Sequence, residues 1–136
     1  MKNWFVMLAV ALVPVAAATV GAFEDKPADT EAIMKALFKG GGSKSASLKK
    51  QTEAASPDWP AIQKTTQEIA DLGATLGKGE PHKGDKESWK TLTGKFAKDT
   101  AALDKSADAK DLTSLKAAQK TLGASCKSCH NTHRGQ

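Results

Sequence analysis

The sequence is poor in the residues that form β-sheets, and it lacks the side-chain sets that usually carry catalysis. No valine follows Val20, and no run alternates β-branched with polar residues, so strands are not expected. There is no Ser/His/Asp arrangement and no pair of carboxylates in an evident pocket, so we do not expect an enzyme. Lysines are scattered and aromatic residues make up 5% of the chain, which leaves no basic, aromatic-rich stripe for nucleic acid.

Cysteine is also scarce, because Cys126 and Cys129 are the only two in the chain. A zinc site commonly uses two such pairs, and no second pair is present. A thioredoxin-like redox pair is expected after a strand, at the start of a helix, whereas this pair comes late in a helical pattern. A disulfide between residues so close in sequence would close too small a loop to stabilise the fold much. The two thiols therefore need another role.

One apolar run stands at the N-terminus. Lys2 precedes an uncharged segment that ends in small residues at Ala22, before "FEDKP". This is the layout of a secretory signal peptide. We therefore predict a signal peptide at residues 1–22 and one mature domain at residues 23–136, in the periplasm or another exported space. The alternative is an uncleaved leader that anchors the protein in a membrane, since the run is just long enough to span one.

Four amphipathic helical patterns fill the mature domain. Apolar residues recur at three- and four-residue spacing after candidate N-caps near positions 29, 56, 85 and 107. "GGG" at 40–42 ends the first pattern. A short helix after it stays open, because "SASLKKQTEAAS" carries one large apolar residue, Leu48. Four such helices joined by short loops predict an all-α, antiparallel four-helix bundle, a fold that binds cofactors between facing helices.

The last pattern ends in "CKSCH", which is the C-x-x-C-H attachment pattern of c-type haem. Residues three apart lie on one face of a helix, so both thiols can add to the vinyl groups of one haem. His130 follows directly and is placed to ligate the iron. We therefore predict covalently bound haem c at Cys126 and Cys129, with His130 as the proximal ligand. The alternative is an exported helical module that carries no haem.

These features resemble the cytochrome c′ family, the class II c-type cytochromes. The resemblance is strongest over "GDKESW", "AALDKSADAKDLTSLKAAQKTLGASCKSCH" and Arg134, four residues after the haem histidine. In this family the distal residue, which faces the iron on the side opposite the proximal histidine, lies on the first helix. It is leucine in five-coordinate members and methionine in six-coordinate electron carriers. The resemblance therefore implies Met34 as the distal iron ligand. Many relatives have an arginine one turn earlier, facing the haem propionates, where this chain has Thr30. Arg134 and nearby lysines are candidates to face them instead, and the alternative is that they form a solvated basic tail.

Other side chains are less suited to the sixth position of the iron. His133 shares a helix with His130, so it cannot reach the opposite face of the same iron, and we expect it near the haem edge or in solvent. His82 lies in a surface loop, and an axial lysine would need a buried neutral amine. Trp89 and Phe96 share one stripe, where they either pack on the haem or fill the bundle.

The function expected from these residues is that of an exported carrier of single electrons. Methionine is a soft ligand that raises the reduction potential of haem iron. The formal net charge of +5 favours brief encounters with acidic redox partners, and family members often pair as homodimers. The alternative is a five-coordinate protein that binds NO or CO at an open distal site, with Met34 only lining the pocket.

Overall fold

A computed structural model describes residues 28–135 of the chain. Within this range it contains five α-helices and no strand, so the all-α prediction is confirmed. The helices are α1 (Thr30–Phe38), α2 (Lys44–Glu53), α3 (Trp59–Leu76), α4 (Lys86–Asp108) and α5 (Leu112–His133). The predicted signal peptide at residues 1–22 lies outside the described residues. None of the helices described is long and apolar enough to cross a membrane.

Each helix begins at a side chain that caps its first turn. The N-caps of α1 to α5 are Asp29, Ser43, Asp58, Asp85 and Asp111, and each accepts a hydrogen bond from the backbone N–H three residues later. Such a bond satisfies one of the backbone donors that the first turn leaves unpaired. Short polar side chains before the apolar runs therefore set where the helices begin.

One open question about the helices is answered, and one boundary differs from the predicted one. The first pattern is followed by a separate helix, α2, because Gly40 has a positive φ of 80° that breaks α1 and Ser43 then caps a new helix. The fourth pattern begins after Asp111 rather than near Asp108. Lys110 has a φ of 53°, a left-handed conformation that ends a helix, so the preceding helix extends to Asp108.

The core lies mainly between α3, α4 and α5. Its fully buried apolar residues include Ile62, Ile69, Leu103 and Leu115. The most extensive helix contacts are those of α3 with α4 and of α4 with α5, while α1 and α2 pack on each other and on α3. Because α1 packs on α3 and not closely along α5, a cleft remains between α1 and the end of α5.

Candidate haem site

The C-x-x-C-H motif lies in the last turns of α5 and is accessible from outside the core. Cys126 and Cys129 are half-buried free thiols, and Cys126 donates a weak hydrogen bond to the Leu122 carbonyl oxygen at 3.7 Å. The helix continues through both cysteines, so their side chains lie on one face, one turn apart. His130 is exposed on the adjoining part of the helix surface. The two sulfurs and the imidazole can therefore reach one ligand.

The motif lines an open cleft of about 750 Å³, which is a usual size for a cofactor pocket. All five residues that the sequence nominated for the haem line this one cleft: Cys126, Cys129, His130, Met34 and Arg134. They come from both ends of the described chain. The fold therefore brings together what the sequence separates by almost one hundred residues.

Met34 reaches the cleft from α1. It is half-buried at the edge of the core, and it is the one methionine within residues 28–135. The motif lines the cleft from α5, a helix on which α1 does not pack extensively. Met34 and His130 thus stand on separate helices around one cavity.

Basic side chains predominate around the cleft. Arg134 is exposed at the C-cap of α5 and its backbone N–H donates to the His130 carbonyl oxygen at 3.2 Å. Lys35 and Lys39 line the cleft from the end of α1. Lys35 pairs with Glu31 at 2.7 Å, and this hydrogen bond lowers the pKa of the Glu31 carboxyl and raises the pKa of Lys35. Lys39 and Arg134 leave the cleft with a surplus of positive charge.

Aromatic side chains form the apolar part of the cleft wall. Trp89 lines the cleft, whereas Phe96 packs edge-to-face on Phe38 with ring centroids 6.3 Å apart. The sequence left open whether Trp89 and Phe96 pack on the haem or fill the bundle. In the structure Trp89 faces the cleft and Phe96 packs inside the bundle. Phe38 also lines the cleft but was not nominated for it. Its position four residues after Met34, on the same helical face, is the signal that identifies it.

The two remaining histidines lie near the cleft in different environments. His82 is exposed in the α3–α4 loop, as its sequence context predicts, yet it also lines the cleft. His133 lines the cleft but is only 2% exposed, so a position in solvent is ruled out. Both of its ring nitrogens have hydrogen-bond partners, the Lys83 carbonyl oxygen and the Ser88 hydroxyl. His133 continues the helical spacing of Leu122, Cys126 and Cys129, which indicates an inward position, but the sequence does not show which groups bury it.

Burial also changes the chemistry of one cysteine. It raises the pKa of the Cys129 thiol, and the neighbouring Cys126 raises it further. A sulfur with a raised pKa is a weak thiolate nucleophile and a poor zinc ligand, because both roles need the deprotonated form.

Taken together, these residues fit a c-type haem. Two thiols one turn apart supply both covalent bonds, and imidazole and methionine sulfur are known axial ligands of haem iron. The aromatic wall suits the flat macrocycle, and the surplus positive charge suits its carboxylates. No feature of the cleft opposes such a ligand.

Comparison with known proteins gives one match. Residues 84–134 match the family model described as Cytochrome C', a range that contains α4, α5 and the whole motif but not Met34. No curated protein and no solved structure is significantly similar to the chain. The family implies a covalently bound c-type haem, and its members are generally exported to the periplasm. Over residues 84–134, and in its helical architecture, the chain is similar to the cytochrome c′ family.

Proposed function

We propose that this c-type haem protein is an exported carrier of single electrons, with His130 and Met34 as the axial ligands of haem c held by Cys126 and Cys129. One observation carries the proposal: Met34 lines the same cleft as the motif, but from a different helix. When bound, the haem supplies an iron centre that gains and loses one electron.

The protein's own residues determine how well such a centre transfers electrons. Two covalent bonds to one rigid helix would keep the cofactor in place through every cycle. Methionine as a sixth ligand would stabilise ferrous iron and raise the reduction potential. With both axial positions filled, little has to move when the charge changes. The Trp89 and Phe38 side chains in the cleft wall would exclude water, which also favours the less charged state.

The charge around the cleft supports acidic redox proteins as partners. Lys39 and Arg134 line the opening, and the whole chain carries a formal net charge of +5. Complementary charge speeds diffusional encounter and makes it sensitive to salt, without requiring tight binding. Brief, oriented encounters suit an electron carrier that meets a donor and an acceptor in turn. An exported location, with no enzymatic activity, completes the proposal.

The variant Met34→Leu tests the role of the methionine sulfur. Leucine has nearly the same volume, so the helix should still pack, but it has no lone pair for iron. We expect the variant to become five-coordinate, to bind CO, and to lose reduction potential on the order of 100 mV, well within the range that axial ligands span. The measurements are absorption spectra with and without CO, and a redox titration.

Ala36→Ser is the matched control, since Ala36 lies two residues further along α1, is exposed and does not line the cleft. It should leave the spectra and the CO response of the iron unchanged. If wild type and Met34→Leu bind CO equally well, Met34 is not a ligand. The alternative function, binding of NO or CO at an open distal site, would then replace the electron carrier.

A further inference from the structure

His133 is the last residue of α5, and both of its ring nitrogens are engaged. Nδ1 lies 2.8 Å from the Lys83 carbonyl oxygen, and Nε2 lies 3.0 Å from the Ser88 hydroxyl oxygen. Because a carbonyl oxygen can only accept, Nδ1 carries a proton. In the neutral ring Nε2 then accepts from the Ser88 hydroxyl. These contacts select one tautomer and one orientation of the imidazole.

The surroundings of His133 are closely packed. The Trp89 ring meets it edge-to-face, with centroids 5.4 Å apart, and Trp89 Nε1 donates to the Gly79 carbonyl oxygen at 2.8 Å. Gly84 has a φ of 87°, and a Cβ added there would lie 2.6 Å from His133 Nδ1. Glycine is required at this position both for its conformation and for the close approach. The α3–α4 loop and the first turn of α4 therefore enclose the imidazole.

His133 is also an isolated anchor at the end of its helix. The buried residues of α5 are Leu115, Leu122 and His133. The C-x-x-C-H motif lies between the last two of these, and its own residues are half-buried or exposed. In this helix, all of which the structure describes, no buried side chain other than His133 holds the part beyond Leu122. Cys129 is half-buried and packs at the edge of the core, so the position of the motif depends on this contact and on the buried contacts of His133, three residues after the motif.

We propose that His133 is a positioning residue, which fastens the last turn of α5 to the α3–α4 loop and thereby fixes the orientation of His130. The two histidines belong to one helical turn, and a rotation of that turn would change the direction in which the His130 imidazole points. The same hydrogen bonds occupy both nitrogens of His133 and keep it from binding iron itself. The inference rests on the proposed function in that it takes His130 as the iron ligand.

Two variants of His133 separate its hydrogen bonds from its shape. His133→Phe keeps an aromatic ring against Trp89 but removes both hydrogen bonds. His133→Gln can still donate to the Lys83 carbonyl and accept from Ser88. Asn131→Ala, an exposed position in the same turn, is the matched control. For each purified haem-loaded protein we would record the electron paramagnetic resonance of the ferric form, the reduction potential and the amount of haem attached per chain.

The expected result is a shifted and broadened ferric signal in His133→Phe, a shifted potential and severalfold less attached haem, because a last turn of α5 without its hydrogen bonds can rotate and reorient the His130 imidazole. His133→Gln should restore wild-type values, and Asn131→Ala should match wild type throughout. Ser88→Ala removes one of the two hydrogen bonds and should shift the signal in the same direction, by less. If His133→Phe fails to accumulate, Ser88→Ala carries the test with the same measurements.

The proposal is overturned if these variants lose only thermal stability while the ferric signal and the potential stay at wild-type values. His133 would then anchor the helix without acting on the haem ligand. Absence of attached haem from the wild-type protein is a different outcome. That result would contradict the proposed function itself and not the packing of His133.

Discussion

At the scale of single residues, the surroundings of a side chain decide what chemistry it can perform. Cys129 and His130 are neighbours in sequence, yet one is half-buried and the other exposed. Burial keeps the Cys129 sulfur in its neutral thiol form by raising its pKa. The sequence identifies the motif, but the reactivity of each member depends on how deeply it lies in the cleft.

Cys129 should therefore react slowly with alkylating reagents in the folded chain without haem. In Cys126→Ala, made without the haem-attachment machinery, we expect slower reaction of Cys129 with iodoacetamide at pH 7.5 than in the same chain unfolded by guanidinium. The reason is the smaller thiolate fraction that a raised pKa leaves at this pH. Mass spectrometry of the modified peptide over time measures both rates, and equal rates would contradict the burial of this sulfur.

The same shift has a consequence for stability. A thiol whose pKa is raised by folding favours the folded state below the unfolded pKa of about 8.5. That contribution is lost as the pH rises through the folded pKa. The haem-free chain should therefore lose stability on the alkaline side, and no loss from this group is expected at neutral pH.

Single residues also show where sequence reasoning ends. The spacing of Cys126, Cys129 and His130 identifies them, because the chemistry of haem attachment demands it. Met34 follows from the family resemblance and from the lack of another methionine in the mature domain. His133 continues the helical spacing of Leu122, Cys126 and Cys129, which indicates an inward face, but its partners, a loop and a tryptophan, approach it only in the folded chain.

At the scale of helices, capping residues and apolar spacing account for most of the fold. The N-caps Asp29, Asp58 and Asp85 could be predicted, because short polar side chains precede apolar runs there. The helix α2 was uncertain because its one large apolar residue, Leu48, gives a weak periodic signal. It forms because Leu48 is buried by tertiary contacts, which outweigh local preference.

Two glycines in helices allow a direct test of how closely α3 and α4 pack. A Cβ at Gly73 would overlap the Thr100 side chain, whose Cβ and Cγ2 would be 2.9 Å away. Thr100 is fully buried, so we expect Gly73→Ala to lower the free energy of unfolding by about 1–3 kcal/mol. Guanidinium unfolding of the haem-loaded protein, followed by circular dichroism, measures the change.

Gly94 is the matched control on α4, because it is exposed and no atom lies within 4 Å of an added Cβ. Gly94→Ala should raise the free energy of unfolding by roughly 0.5–1 kcal/mol, since alanine loses less conformational entropy in a helix. Equal effects of the two substitutions would contradict the close approach of α3 and α4.

At the scale of the whole molecule, α3, α4 and α5 form a well-packed group, and α1 and α2 pack on α3. This arrangement leaves a cleft between α1 and the end of α5. The family match covers α4 and α5, and α5 contains the two cysteines of the haem-attachment motif. Met34, which we propose distinguishes an electron carrier from a gas-binding protein here, lies outside the match, on α1. The function of this chain therefore depends on how its N-terminal helices complete a site that its C-terminal helices define.

Absorption spectra of the purified wild-type protein, ferric and ferrous, with and without CO, test this account most directly. The account predicts one covalently attached haem per chain, a sulfur-to-iron charge-transfer band in the ferric form and no response of the ferrous form to CO. A high-spin ferric spectrum, with a prompt change on addition of CO to the ferrous protein, would contradict Met34 ligation and the role of electron carrier.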